Sequence, residues 1–178
     1  VFGEVPVLPV VVPLAAVVLL VLLWVLHRRE QLTAPRASVA LVLCVYAAGV
    51  VANTVFPIYL DMPGGDRPWH ASLSTVPLVD YELADAVMNI VVFLPVGVLV
   101  PLLVAGASWR RVLVVGAAFS LAIEVSQYVA AHLFHGGHVA DVNDLLFNVA
   151  GALLGFGLLT ALSRLTRVDV LVQRFSWH

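Results

Sequence analysis

The 178-residue chain has no lysine, one cysteine and few charges of either sign. Charged residues make up 11% of it against 62% hydrophobic, with a mean hydropathy of +1.04. So little charge excludes a soluble domain of this length, whose surface could not be kept wet. The lone Cys44 excludes a disulfide scaffold within the chain and reads as a small buried apolar side chain. A net charge of -2 and the want of a basic stripe argue against a nucleic-acid partner.

What the chain does have is long uncharged runs. Residues 5–26, 37–60, 86–109 and 145–163 contain no Asp, Glu or Arg, and 112–134 contains only Glu124. A helix crossing a bilayer needs roughly 20 apolar residues. Inside lipid each segment must satisfy its own backbone polar groups. The expectation is an all-α polytopic membrane protein, a bundle of five transmembrane helices over about 5–27, 37–60, 85–107, 112–134 and 144–163, forming a single domain over 1–178. The first run lacks a basic start and is followed by His27, Arg28 and Arg29, a stop-transfer flank rather than a cleaved signal.

The arginines set an orientation. Arg28, Arg29 and Arg36 follow the first span, Arg110 and Arg111 separate the third and fourth, and Arg164, Arg167 and Arg174 follow the fifth. Only Arg67 lies between the second and third. This asymmetry predicts an outer N-terminus and a cytoplasmic C-terminus. Trp24 and Trp109 then fall near the inner interface, and Tyr59 and Tyr81 near the outer one. Glu4, Asp61, Asp66, Asp80, Glu82, Asp85, Asp141 and Asp144 gather outside. Residues 61–84 read either as a plain connector or as a lid, and the tail VDVLVQRFSWH as an interfacial segment.

An ionisable side chain within a span is expensive unless partnered and points to function. Glu124 stands well inside the fourth span, with Gln127 and Tyr128 three and four residues on, sharing its face. The third span brings Asp85 and Asn89 at i, i+4. The fifth brings Asp141, Asp144 and Asn148 at intervals of three and four. Three spans thus carry a carboxylate and an amide to one depth. Gly151 and Gly155 continue the fifth span's stripe as GxxxG, and Gly116 with Ser120 gives the fourth a small-residue edge.

A purely structural account competes with this one. Asp141 and Asp85 suit helix N-termini, and Asn89 and Asn148 suit interhelical hydrogen bonds worth about 0.6 kcal/mol each. Glu124, far from either helix end, fits that account badly. In ligand type Asp85, Glu124, Asp141 and Asp144, with His132, His135 and His138 nearby, resemble a site for a hard divalent cation, although the spacing is no metal signature. DVNDLLFN opens like the D-x-x-D of CDP-alcohol phosphotransferases but lacks the glycine and the later acidic residues. No H-E-x-x-H and no G-x-S-x-G are present.

On these residues the chain resembles the VanZ-like family of bacterial membrane proteins. The pieces are DAVMNIVVFLPVGVLVPLL (85–103), SLAIEVSQYV (120–129) and HVADVNDLLFNVAGALLGFGL (138–158). They follow an Asp, then N-[IL]-x-x-F-x-P-x-G, then S-x-x-[IV]-E-x-x-Q, then R-x-x-D-x-x-D-x-x-x-N-x-x-G-x-x-x-G. Asp85, Asn89, Phe93, Pro95, Gly97, Ser120, Glu124, Gln127, Asp141, Asp144, Asn148, Gly151 and Gly155 match in order and spacing, across about residues 40–160. His138 stands where the family has arginine, which makes an anion contact there weaker and pH-dependent. Asn143 stands where an acid is common. The resemblance implies a multi-pass protein of the bacterial plasma membrane doing cell-envelope work, since the family's namesake is associated with resistance to the glycopeptide teicoplanin.

Two functions follow as expectations. In one, the outward polar pocket formed by Asp85, Asn89, Glu124, Gln127, Tyr128, His138, Asp141, Asp144 and Asn148 binds an envelope lipid, a lipid-linked wall precursor or the lipid-bearing drug. In the other, the chain is an enzyme modifying such a lipid or precursor. Glu124 would act as general acid/base, and Asp85, Asp141 and Asp144 would position substrate or a divalent cation. Transport has less support, because no inverted repeat is visible.

Overall fold

The computed structural model describes residues 3–60, 68–79, 81–133 and 139–178. Among them five helices are long and apolar enough to cross a membrane: α1 (Val7–Arg28), α2 (Ala34–Val55), α3 (Leu83–Leu103), α4 (Trp109–Leu133) and α5 (Val142–Leu162). A sixth, α6 (Thr166–Phe175), is short and amphipathic. Four two-residue strands make two small ladders. β1 (Gly3–Glu4) pairs antiparallel with β2 (Tyr59–Leu60), and β3 (Leu73–Ser74) pairs parallel with β4 (Ala140–Asp141). Leu8, Leu20, Val45, Val114 and Leu158 are among many large apolar side chains left exposed, which is stable only with lipid as solvent. The chain is a multi-pass membrane protein.

The second span ends earlier than its uncharged run. It was expected to reach residue 60 and stops at Val55, with Phe56 already extended at φ -100, ψ 153. The cause is Pro57, whose ring drives the preceding residue out of the helical region. The apolar residues beyond it become β2. At the other end of α2, Thr33 is the N-cap and Pro35 sits in the first turn, where its missing N–H leaves no bond unmade.

The heart of the bundle is the seam between α3 and α5, the most extensive helix contact in the chain. Glycine makes it possible. A Cβ at Gly151 would fall on the carbonyl oxygen of Ile90, and one at Gly155 on that of Leu94. From the facing side, a Cβ at Gly97 would strike the carbonyl oxygen of Ala152. The two backbones therefore touch directly, and small residues let dispersion act between main chains where no hydrophobic effect operates. α4 joins through Gly116, where a Cβ would stand 3.1 Å from that of Ala152. Phe93, Val96, Val100, Val112 and Ala152 fill the core around the seam.

At the arginine-rich end, α6 and the tail clasp the bundle. Val172, Phe175 and Trp177 pack on Val39, Leu99 and Leu102. The Trp177 amide donates to the carbonyl of Leu102 at 2.8 Å, and Arg36 Nε to that of Ser176 at 2.6 Å. The first of these satisfies a carbonyl that the end of α3 leaves open. α1 is the outlier, packed chiefly against α2 and hardly buried.

Candidate functional site

The polar residues meet where α3 and α5 begin and where α4 runs toward its end. Asn89 Nδ2 donates to Asp144 Oδ1 at 2.6 Å, joining α3 to α5. One turn further in, Asn148 Nδ2 donates to Ser120 Oγ at 3.0 Å, joining α5 to α4. Glu124, only 7% exposed, accepts the backbone N–H of Asp141 at 2.8 Å through Oε2. The carboxylate inside the α4 span thus holds the start of α5, and it receives a donor where lipid would offer none.

The remaining acids behave as helix-end residues. Asp141 is the N-cap of α5, its Oδ1 accepting from the Asn143 amide at 2.8 Å. Asp85 lies in the exposed first turn of α3, where the positive helix end favours an acid. Tyr128 faces His132, ring centroids 4.2 Å apart, and its carbonyl takes the bond from His132 Nδ1 at 2.9 Å. That leaves His132 Nε2 buried without a partner among the described residues. Among those residues no group of three or more His, Cys, Asp or Glu is arranged to hold a metal ion, Asp85, Glu124, Asp141 and Asp144 included. His135 and His138, together with the position of the family arginine, lie outside the described residues.

Asn143, which sequence reasoning left out of the pocket, is nearly fully buried and ties down the α2–α3 connection. The Leu78 amide donates to its Oδ1, and its Nδ2 donates to the Val79 carbonyl at 3.1 Å. One side chain thereby extends the β3–β4 ladder and folds residues 73–79 over the start of α5. Nothing local in the sequence signals this, because its partners are backbone atoms 65 and 64 residues away. In Asn143→Leu the branched shape is kept and both bonds are lost. The connection should then open, at about 1–2 kcal/mol for two partly exposed bonds. Hydrogen exchange should accelerate across 73–79 and not in α3; unchanged protection would refute the strap.

Beneath the polar layer, a cavity of ≈ 650 Å³ lies among α2, α3, α4 and α5. Its floor and walls are mainly apolar, from Val50, Phe93, Pro95 and Ile123, with the amides of Asn53, Asn89, Gln127 and Asn148 spaced around it. Gln127 Oε1 and Asn148 Oδ1 are buried and accept no hydrogen bond among the described residues. Cavities of about 300–1,000 Å³ with apolar walls and a few convergent polar groups are the usual form of small-ligand sites. Asn53 was legible as an amide in an apolar run near the same end of α2; the contribution of Tyr46 and Gly49 was not, since neither belongs to a polar motif.

No curated protein and no solved structure matches the chain. The family model VanZ/LLP1 matches residues 10–163. That stretch runs from the first turn of α1 to the end of α5 and takes in every helix that builds the polar layer and the cavity, so the chain belongs to the VanZ/LLP1 family.

Proposed function

We propose that this protein is a non-catalytic component of the bacterial cell envelope. In this reading its outward-facing polar site holds an envelope lipid, a lipid-linked wall precursor or a lipid-bearing glycopeptide, and so lowers sensitivity to teicoplanin-type drugs. The observation that carries it is the ≈ 650 Å³ cavity directly under the Asn89–Asp144 and Asn148–Ser120 bonds. An amphipathic ligand needs an apolar volume next to a polar rim, and the two adjoin here. Arginines clustered at the opposite end support an orientation in which this rim opens outside the cell. Binding is favoured over catalysis because no carboxylate or imidazole lines the cavity among the described residues.

A teicoplanin-sensitive host expressing the chain tests this. Survival should rise with the wild-type protein and fall back to the empty-vector level with Asp144→Asn and Glu124→Gln. Native mass spectrometry of the same preparations should find a co-purifying lipid in the wild type. Equal survival in all strains would sink the reading, and turnover of that lipid to a product only by the wild type would replace it with an enzyme.

A further inference from the structure

The cavity is walled unevenly. α2 packs on α1, α4 and α6, and meets α3 chiefly near the arginine-rich end, where Val39 lies against Leu99 and Leu102. Between α2 and α3 the lining residues Val45 and Met88 are 64% and 61% exposed. At the inner end the same space reaches Asn148, 3% exposed. On a helix that spans the bilayer, exposed apolar residues face lipid. The cavity therefore runs from the lipid-facing surface to the buried amides. Tyr46 is the bridge across the gap, its hydroxyl donating to the Val92 carbonyl at 3.1 Å.

The chemistry of the wall narrows the occupant. Among the described residues no carboxylate, guanidinium or imidazole lines the cavity. A phosphate drawn into it would lose its hydration without finding a counter-charge. The polar groups the cavity does present are uncharged, among them the side chains of Asn53, Thr54, Asn89, Gln127 and Asn148, and these suit a neutral hydroxyl. A hydroxyl can exchange hydrogen bonds with such amides, each worth about 1 kcal/mol, where a phosphate would find no charge partner. The gap between α1 and α2 offers a contrast: it is ≈ 140 Å³, is lined by apolar residues and Cys44, and presents no polar acceptor.

We infer that a neutral, hydroxyl-bearing acyl lipid enters this cavity sideways from the bilayer, through the gap between α2 and α3, and hydrogen-bonds its hydroxyl to the uncharged amides of the wall. This rests on the proposed lipid-holding role and specifies both the route and the headgroup class. Gly49 is the position that makes the route testable. It lines the cavity, and a Cβ placed there meets nothing within 4 Å. A side chain at 49 therefore starts into open space, and a large one narrows the passage. Gly157 on α5, exposed and equally unobstructed, serves as its control.

The full chain is reconstituted in phosphatidylcholine vesicles carrying diacylglycerol with a diazirine in one acyl chain. After photolysis, label should appear in α2 between residues 45 and 54 and in α3 between 88 and 95. Gly49→Phe should lower that labelling about tenfold, equal to about 1.4 kcal/mol, and Gly157→Phe should leave it unchanged. The methyl ether of the same diacylglycerol, one methyl larger and without the donor, should label about fivefold less, the worth of a hydrogen bond. This arm needs no substitution, so it stands even if Gly49→Phe fails to fold. Equal labelling by the ether overturns the hydroxyl assignment, and full labelling of folded Gly49→Phe overturns the route. Label confined to outward positions such as Val114 means the cavity holds water, and the inference fails. If a lipid still co-purifies in that case, the proposed function survives; if none does, that reading falls as well.

Discussion

Gly151→Ala should unfold the detergent-solubilised protein at a markedly lower temperature than wild type, and Gly151→Leu should prevent a folded monomer from being recovered. The added methyl of alanine would land on the Ile90 carbonyl. That obstacle is main chain, unable to swing aside as a flexible side chain would, so α3 and α5 must separate along the seam. Overpacking of a core costs typically about 1–3 kcal/mol, and a backbone obstacle puts this case at the upper end. Separation would also strain the Asn89–Asp144 bond across the same two helices. Gly157→Ala is the matched control, because nothing lies within 4 Å of its Cβ, and its midpoint should stay or rise slightly with the better helix former. Tryptophan fluorescence during heating reads both; equal midpoints for Gly151→Ala and wild type would mean that the seam is looser than its geometry.

Glu124 separates structural from functional loss. In Glu124→Gln the side-chain oxygen still accepts the Asp141 amide, so the fold should hold, while the proposed binding role predicts that survival on teicoplanin is lost. In Glu124→Leu the amide is stranded at the start of α5, a loss of about 1–3 kcal/mol. The thermal midpoint should drop, and hydrogen exchange should accelerate at 140–143. If Gln destabilises as much as Leu, the charge itself holds α5 in place. If neither variant changes stability, the 2.8 Å bond contributes nothing.

The spans were readable because lipid punishes charge so heavily that uncharged runs can have few other meanings. The polar layer was readable for the same reason, since Glu124, Asn89 and Asn148 have no cheap place in a span. The glycine spacing of α5 announced a close approach but not its partner: GxxxG says that a backbone comes near, and only the packing puts Ile90 and Leu94 against it. The early end of α2 had a local signal in Pro57, masked by the apolar residues around it. Asn143 and the cavity left no such mark. One depends on backbone returning from a distant connection, the other on helices that fail to touch, and neither is a property of any short stretch of chain.

The arrangement of spans bears on how the protein enters the bilayer. α1 has the highest mean hydropathy of the five and is little buried, packing chiefly on α2, so lipid supplies most of its stabilisation and it can insert as an independent unit. α4 has the lowest and carries Glu124, whose acceptor finds its donor only at the start of α5. A carboxylate near the middle of a lone helix costs about 2.5–3.5 kcal/mol on insertion. α4 and α5 are therefore expected to leave the insertion machinery as a hairpin, the later helix rescuing the earlier one, so that synthesis must pass well beyond Leu133 before α4 is committed to the membrane.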